Sequence, residues 1–315
     1  MPLVRINAIG AQIALAQGAG PVGAALSEAL RDVPPEAPVV VMIHGFRFSP
    51  ARAGKCPHGH ILSLAPQSDS WKAVSWPRHL GFTGQHPSEG LCIGFGWEAA
   101  GTIWTAYGEA ARAGRALARL VGEIRAARPG QQVDVVAHSL GARVTLAALP
   151  HLPAGALRRA VLMAPAEMRS RAEAALDTPA GRAARFLNVT SRENDLFDFL
   201  LEGLVAPHRV GDRALGHGSG QGRCNWLDLQ IDHAGTLAAL GRLGHRIAPP
   251  ARRVCHWSPY LRPGMFPLYR RFLRGEIAPE TLRTALPAAQ SPRWSRLLAR
   301  PRGALPLPFA GKAPS

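Results

Sequence analysis

The chain has 315 residues, of which 47% are apolar and 18% charged, and its formal net charge is +16. This composition excludes a chain that is disordered throughout, because there is enough apolar surface for a full hydrophobic core. Charged residues, glycine or proline interrupt every apolar stretch before it reaches 18 residues, so the sequence predicts no membrane-spanning helix.

The positive charge comes from 37 lysines and arginines against 21 acidic residues. These cations are scattered along the chain, and no nucleic-acid-binding motif accompanies them, so we expect no nucleic-acid partner. Peripheral contact with a lipid surface stays open, and the sequence gives no indication of the oligomeric state. The four cysteines are widely spaced, which favours a reducing compartment and predicts a cytoplasmic protein.

The predicted elements alternate between strands and helices. A continuous β-branched run at 38–43 is typical of a strand buried on both faces. In chain order, we predict edge strands within 3–17, a helix at 22–31, strands at 38–43 and 91–95, a helix at 105–127, a strand at 133–137, a helix ending near 149, strands at 160–163 and 186–189 with a helix at 169–176 between them, a strand at 226–231, and helices at 235–243 and 265–273.

This alternation predicts an α/β fold with a doubly wound, mostly parallel sheet and helices on both faces. We expect a single domain over 1–286, with loop insertions at about 46–90 and 200–225 that build the specificity pocket. Residues 287–315 are rich in proline and arginine and lack periodicity. They are predicted to form a loosely ordered basic tail.

A candidate nucleophile lies where a predicted strand turns sharply into a helix, at Ser139. Such a turn needs small residues two positions before and after the serine, and Ala137 and Gly141 meet this need. The backbone N–H of Leu140, at the start of the helix, would then point at an oxyanion. The alternative is that Ser139 only caps the helix.

Two segments resemble motifs of the α/β-hydrolase superfamily. Residues 40–46 resemble its strand and oxyanion loop, and residues 137–141 are similar to the nucleophile turn of its alanine-bearing lipases. Residues 94–97, followed by Tyr107 and a long helix, resemble an uncharacterised bacterial esterase-like or lipase-like branch. The resemblance covers about 36–275 and implies the α/β-hydrolase fold.

The same resemblance implies a serine hydrolase that cleaves a carboxylic ester or thioester without a cofactor. It also implies that the second oxyanion donor is the backbone N–H of Phe46, and Gly45 allows the close backbone approach that this donor requires. The alternative function is a non-catalytic binding protein on a hydrolase fold, or a basic protein associated with a lipid surface.

A serine nucleophile needs an imidazole base and a group that orients it, and in this fold the chain order is serine, acid, histidine. Asp195 lies in the loop after the strand at 186–189 and is the predicted acid. Glu193 and Asp198 are the alternatives, and Asp195 could instead cap the following helix.

Several histidines follow Asp195 and are candidates for the base: His208, His217, His233, His245 and His256. His233 comes directly after a predicted strand, where a minimal hydrolase places its base. His256 lies before the terminal helix beside aromatic residues, and it resembles the branch's histidine-plus-aromatic segment. We predict His256 as the base, with His233 as the alternative.

Residue types that bind zinc alternate at Cys56, His58 and His60. A structural metal needs a fourth ligand at a recognisable spacing, and none is evident, so we predict no metal site. His44 is predicted to organise its loop rather than to act as a base.

Overall fold

The structure is a computed structural model that describes residues 3–67, 70–205, 210–219, 222–288 and 290–298. Within these ranges, the strands are β1 (Leu3–Ile9), β2 (Gln12–Leu15), β3 (Val39–Ile43), β4 (Leu91–Gly96), β5 (Val133–His138), β6 (Leu157–Met163), β7 (Arg185–Thr190) and β8 (Trp226–Gln230). They form one sheet in the order β2-β1-β4-β3-β5-β6-β7-β8. β1 and β2 pair antiparallel, and the other neighbouring strands pair in parallel.

Helices cover both faces of the sheet. They are α1 (Val22–Leu30), α2 (Trp76–His79), α3 (Ile103–Ala127), α4 (Leu140–Ala148), α5 (Arg169–Leu176), α6 (Pro179–Ala183), α7 (Asp195–Val205), α8 (Ala234–Arg242), α9 (Ser258–Leu261), α10 (Met265–Arg274) and α11 (Pro279–Ala285). None of the described helices is long and apolar enough to cross a bilayer.

The central strands are buried along their whole length, as their unbroken apolar runs predict. Alternate side chains of β3 and β5 enter two separate core clusters, one on each face of the sheet. One cluster packs the sheet against α1, α3 and α4, and the other packs it against α2 and α10. The prediction of a doubly wound, mostly parallel sheet is confirmed. Its parallel strands bring the loops at their carboxyl ends to one edge, where the candidate residues lie.

The start of the predicted tail makes specific contacts with the domain. The backbone N–H of Trp294 donates to Asp195 Oδ2 at 2.6 Å, and Arg293 Nη1 donates to Glu202 Oε2 at 2.8 Å. The backbone N–H of Ser291 donates to Gln230 Oε1 at 2.8 Å. This part of the tail is therefore anchored, in contrast to the loosely ordered segment that its composition predicts. Residues 299–315 lie outside the described residues, as does the candidate His208.

Candidate active site

Ser139 lies at the turn between β5 and α4. Its backbone conformation is one that glycine adopts more readily than other residues do. Its φ of 56° and ψ of −124° leave the ordinary regions for an L-residue, which stores strain of the kind found at functional turns. Its N–H donates to Met163 O at 2.9 Å, which ties the turn to the neighbouring strand β6. Ser139 occupies the N-cap position of α4, but its side chain accepts no capping hydrogen bond, so capping does not occupy the hydroxyl.

Two glycines allow the loop after β3 to approach this turn closely. A Cβ on Gly141 would lie 2.6 Å from the Ile43 carbonyl oxygen, and a Cβ on Gly45 would lie 2.7 Å from Ser139 Cβ. Neither position can hold a larger residue unless the backbone moves. The glycines therefore bring the Phe46 loop against the nucleophile turn.

The two N–H groups expected at an oxyanion lie on either side of this contact. Among the described residues, neither the Phe46 N–H nor the Leu140 N–H has a hydrogen-bond acceptor. Leu140 begins α4, where backbone N–H groups are left unpaired and carry partial positive charge. Arg47, the residue after Phe46, has a φ of 77°, so the oxyanion loop is itself in a strained conformation.

Two hydrogen bonds between His44 and Trp97 hold the loop that follows β3 in place. The Trp97 N–H donates to His44 Nε2 at 3.0 Å, and the Trp97 indole N–H donates to the His44 carbonyl oxygen at 3.0 Å. Complete burial lowers the pKa of His44 to about 3, so the ring is neutral and accepts the Trp97 hydrogen bond at neutral pH. His44 thus organises the loop, as its position in the sequence indicates.

His256 lies beside the nucleophile turn. Its ring centroid is 4.6 Å from that of His138, the residue before Ser139, and its carbonyl oxygen lies 3.0 Å from His138 Nε2. Phe197 stacks on the His256 ring at 4.7 Å. No hydrogen bond joins the Ser139 hydroxyl to His256 in the described structure. Such bonds are often long in ligand-free enzymes and tighten when substrate binds.

The group that orients His256 is Asn194 rather than Asp195. His256 Nδ1 and Asn194 Oδ1 are 2.6 Å apart, so a proton on Nδ1 is donated to the amide oxygen. The other ring nitrogen, Nε2, has no hydrogen-bond partner among the described residues and is available to accept a proton. Burial and the nearby His138 hold the pKa of His256 well below its usual value.

The predicted acid Asp195 is held elsewhere. Its Oδ1 accepts from Arg192 Nη1 at 3.1 Å and its Oδ2 accepts from the Trp294 N–H. The physical reason is the short 3-10 turn at Arg192–Asn194, which directs residue 194 toward His256 and residue 195 toward the buried guanidinium. Sequence order alone does not reveal that residue 194, and not residue 195, contacts His256. The amide oxygen of an asparagine can accept a hydrogen bond from an imidazole N–H, as a carboxylate oxygen can.

The two alternative acids also have other partners. Glu193 pairs with the Arg262 guanidinium, and its Oε1 accepts from the Arg252 N–H at 3.3 Å. Asp198 Oδ1 accepts from Asn194 Nδ2 at 2.9 Å, so a chain of hydrogen bonds runs from His256 through Asn194 to Asp198. Burial raises the pKa of Asp198 to about 7.

The alternative base His233 caps a helix. Its Nδ1 accepts from the Thr236 N–H at 3.2 Å at the start of α8. The His233 ring also contacts residues that are near it in the sequence: its Nδ1 lies 3.3 Å from Thr236 Oγ1, and a Cβ on Gly235 would lie 3.0 Å from its Cε1. The structure thus brings His256, and not His233, to the nucleophile turn.

The zinc-type residues of the first insertion have other partners in the described structure. His58 Nε2 lies 2.8 Å from Asn7 Oδ1, and the His60 ring contacts Phe48. The metal-ligand types that do cluster, among the residues described, are Asp195, Asp198 and His217. Arg192 Nη1 bonds to both Asp195 and His217 Nδ1, so a guanidinium already supplies the positive charge at this cluster.

A known protein family, described as an alpha/beta hydrolase of unknown function (DUF900), matches residues 24–168. The match includes Phe46 and Ser139. Over the matched residues, which are less than half of the chain, the sequence is similar to the α/β hydrolases, and the doubly wound, mostly parallel sheet agrees with their fold. No curated protein matches the chain. The matched part of the chain ends before Asn194 and His256, so the roles of these two residues depend on geometry alone.

Proposed function

We propose that this protein is a serine hydrolase that cleaves a carboxylic ester or thioester through an acyl-enzyme. The observation that carries the proposal is the strained Ser139 turn, with the unpaired N–H groups of Phe46 and Leu140 on one side and the His256 ring on the other. A serine that only caps a helix, or only packs in the core, does not require these three features to occur together.

In the proposed reaction, Ser139 Oγ attacks the carbonyl carbon and its proton passes to His256 Nε2. The N–H groups of Phe46 and Leu140 donate to the oxygen that becomes negative. When the tetrahedral intermediate collapses, His256 returns the proton to the leaving alcohol or thiol. Water then attacks the acyl-enzyme carbonyl while His256 accepts its proton. When the second tetrahedral intermediate collapses, His256 donates that proton to Ser139 Oγ, which releases the acid and restores Ser139. No cofactor is required.

Asn194 is proposed to orient the base. Its amide oxygen accepts from the Nδ1–H of His256, which leaves Nε2 unprotonated toward the nucleophile. An amide carries no net charge, so it stabilises the imidazolium less than a carboxylate does. Asp198, one hydrogen bond further away, is the nearest acidic group in this chain of contacts.

A specific observation favours the second candidate, a non-catalytic protein associated with a lipid surface. Exposed apolar side chains lie along α7, at Leu196, Phe199, Leu200 and Leu204. Ser139 is only 4% exposed, and a cleft of about 770 Å³ lies between α1 and β1, lined by residues that do not include Ser139. The cellular location of the protein is a separate question. The four cysteines of the protein are free thiols, which supports the proposed cytoplasmic location.

The test is to treat the purified protein with a fluorophosphonate and to map the adduct by peptide mass spectrometry. We expect an adduct on Ser139 that is absent in Ser139→Ala and retained in Ser258→Ala, a matched change at another buried serine. A folded protein that stays unlabelled but sediments with anionic vesicles would contradict the hydrolase and support the second candidate.

A further inference from the structure

The entrance beside His256 carries a group of cations and indoles that the proposed reaction does not use. We call this group the cationic mouth: it consists of Trp71, Lys72, Arg252 and Trp257. Lys72 Nζ lies 3.2 Å from the ring centroid of Trp257 and 5.4 Å from that of Trp71. The Arg252 guanidinium lies 4.8 Å from the Trp71 ring. These contacts join segments that are about 180 residues apart in the chain.

The cationic mouth lies next to the reacting groups. Trp257 follows His256, and their ring centroids are 6.0 Å apart. The positive charge of Lys72 is among the causes that lower the pKa of His256, and the charge of Arg47 contributes to the lowered pKa of Lys72. Arg47 directly follows Phe46, whose N–H is the proposed oxyanion donor. Through the Trp257 ring, Lys72 is therefore close to the proposed base.

These cations have no acidic partner in the described ranges. No carboxylate there lies within 4.0 Å of Arg47, Lys72 or Arg252, whereas the arginines behind His256 are paired with acids. Lys72 is also half-buried, and burial is the largest cause of its lowered pKa. A half-buried ammonium without a counter-ion is unfavourable, and binding of an anion would relieve that cost.

We infer that Lys72 binds a carboxylate at the far end of the acyl chain of the substrate. The inference rests on the proposed function and names its substrate class: esters or thioesters of dicarboxylic acids. The indoles of Trp71 and Trp257 pack against the methylene groups between the two ends of such a chain. Trp71 is 53% exposed, as expected for an aromatic residue at the entrance of a site.

The experiment compares two esters of equal length, the 4-nitrophenyl monoester of adipic acid and 4-nitrophenyl hexanoate. The readout is the ratio of their kcat/KM values. We expect the adipate ester to be preferred, the ratio to fall about tenfold in Lys72→Met, and Lys72→Arg to restore most of it. The control is Lys55→Met, a change at an exposed lysine of the same insertion, which should leave the ratio unaltered.

Two results would overturn the inference. A wild-type ratio near one is the first. The second is an equal loss for both esters in Lys72→Met, because that is the result of a lysine that only holds Trp257 in place. High salt should also lower the wild-type ratio, since it screens the attraction between separated charges.

Failure of the proposed function is read separately, from hexanoate turnover that persists in Ser139→Ala or is absent in the wild type. If the wild type hydrolyses neither ester, binding is measured in the Ser139→Ala protein by tryptophan fluorescence, with monoethyl adipate and ethyl hexanoate as ligands. Tighter binding of the adipate, weakened about tenfold by Lys72→Met, supports the inference without any turnover. Equal binding, or binding of neither ligand, contradicts it.

Discussion

The two sides of the His256 ring differ in how their charges are balanced. Behind the ring, Arg192 is paired with Asp195 and Arg262 with Glu193, and all four side chains are buried. In front of it, Lys72 contacts indoles and has no carboxylate partner in the described structure. A balanced, buried network can hold a base in one orientation, whereas an unbalanced entrance is suited to receive a charged ligand. The predictions below test this difference.

The largest expected effect comes from removing the ring that joins the two sides. His256→Ala should lower kcat/KM for an ester by about three orders of magnitude or more, because it removes the proposed acceptor of the Ser139 proton. His233→Ala should have a small effect, because His233 caps α8. Both variants are assayed for ester hydrolysis and for native circular dichroism. A large loss in His233→Ala alone would exchange the two roles.

The paired side is tested by Arg192→Met. This change leaves Asp195 buried without its cation and should lower the free energy of unfolding by about 3–5 kcal/mol. The control is Arg31→Met, which breaks an exposed pair with Glu28 and should cost less than about 1 kcal/mol. Urea unfolding measures both values. Equal, small losses would show that the charges behind His256 are not balanced by Arg192.

The orienting residue is tested by comparing Asn194→Ala with Asp195→Asn. Asn194→Ala should lower kcat by about 10- to 100-fold, because the imidazole loses the acceptor for its Nδ1–H. Asp195→Asn should cost less activity and more stability, since Asp195 pairs with Arg192. Steady-state kinetics and urea unfolding on the same preparations separate the two. A greater loss of kcat in Asp195→Asn would restore the residue that the sequence predicts.

The smallest expected effect is a shift in pH dependence. The base must be neutral to act, so activity is lost as the pH falls through the pKa of His256. Because burial lowers that pKa, the acid limb of the kcat/KM profile should have its midpoint below 6.5. Asn194→Asp should move the midpoint up by about one pH unit, because a carboxylate favours the imidazolium. An unchanged midpoint would place the titrating base elsewhere.

The features that the sequence predicts well are those with a repeating pattern or a strict local requirement. The apolar run of β3 and the strand-to-helix turn at Ser139 follow from burial and from backbone sterics, and both occur where they are expected. The sequence also favours His256 over His233, because aromatic neighbours surround the former.

The features that it misses depend on contacts between distant segments. The choice between Asn194 and Asp195 is decided by a one-residue change of direction in a short polar turn, and neither composition nor chain order encodes it. The anchoring of Trp294 is similar, because it depends on a backbone N–H and not on an apolar pattern. The contact of Lys72 with Trp257 joins two loops whose approach only the fold determines.

The order of strands in the sheet has a consequence for the making of the protein. β1 is the first of the described strands, and its parallel neighbour β4 begins about 80 residues after β1 ends. During synthesis, the hairpin of β1 and β2 therefore leaves the ribosome well before the strand that covers its other edge. Until Leu91–Gly96 arrives, that edge offers free N–H and C=O groups to any passing strand. Chaperone protection of the nascent β1–β2 hairpin should therefore matter more for the yield of this protein than protection of β8.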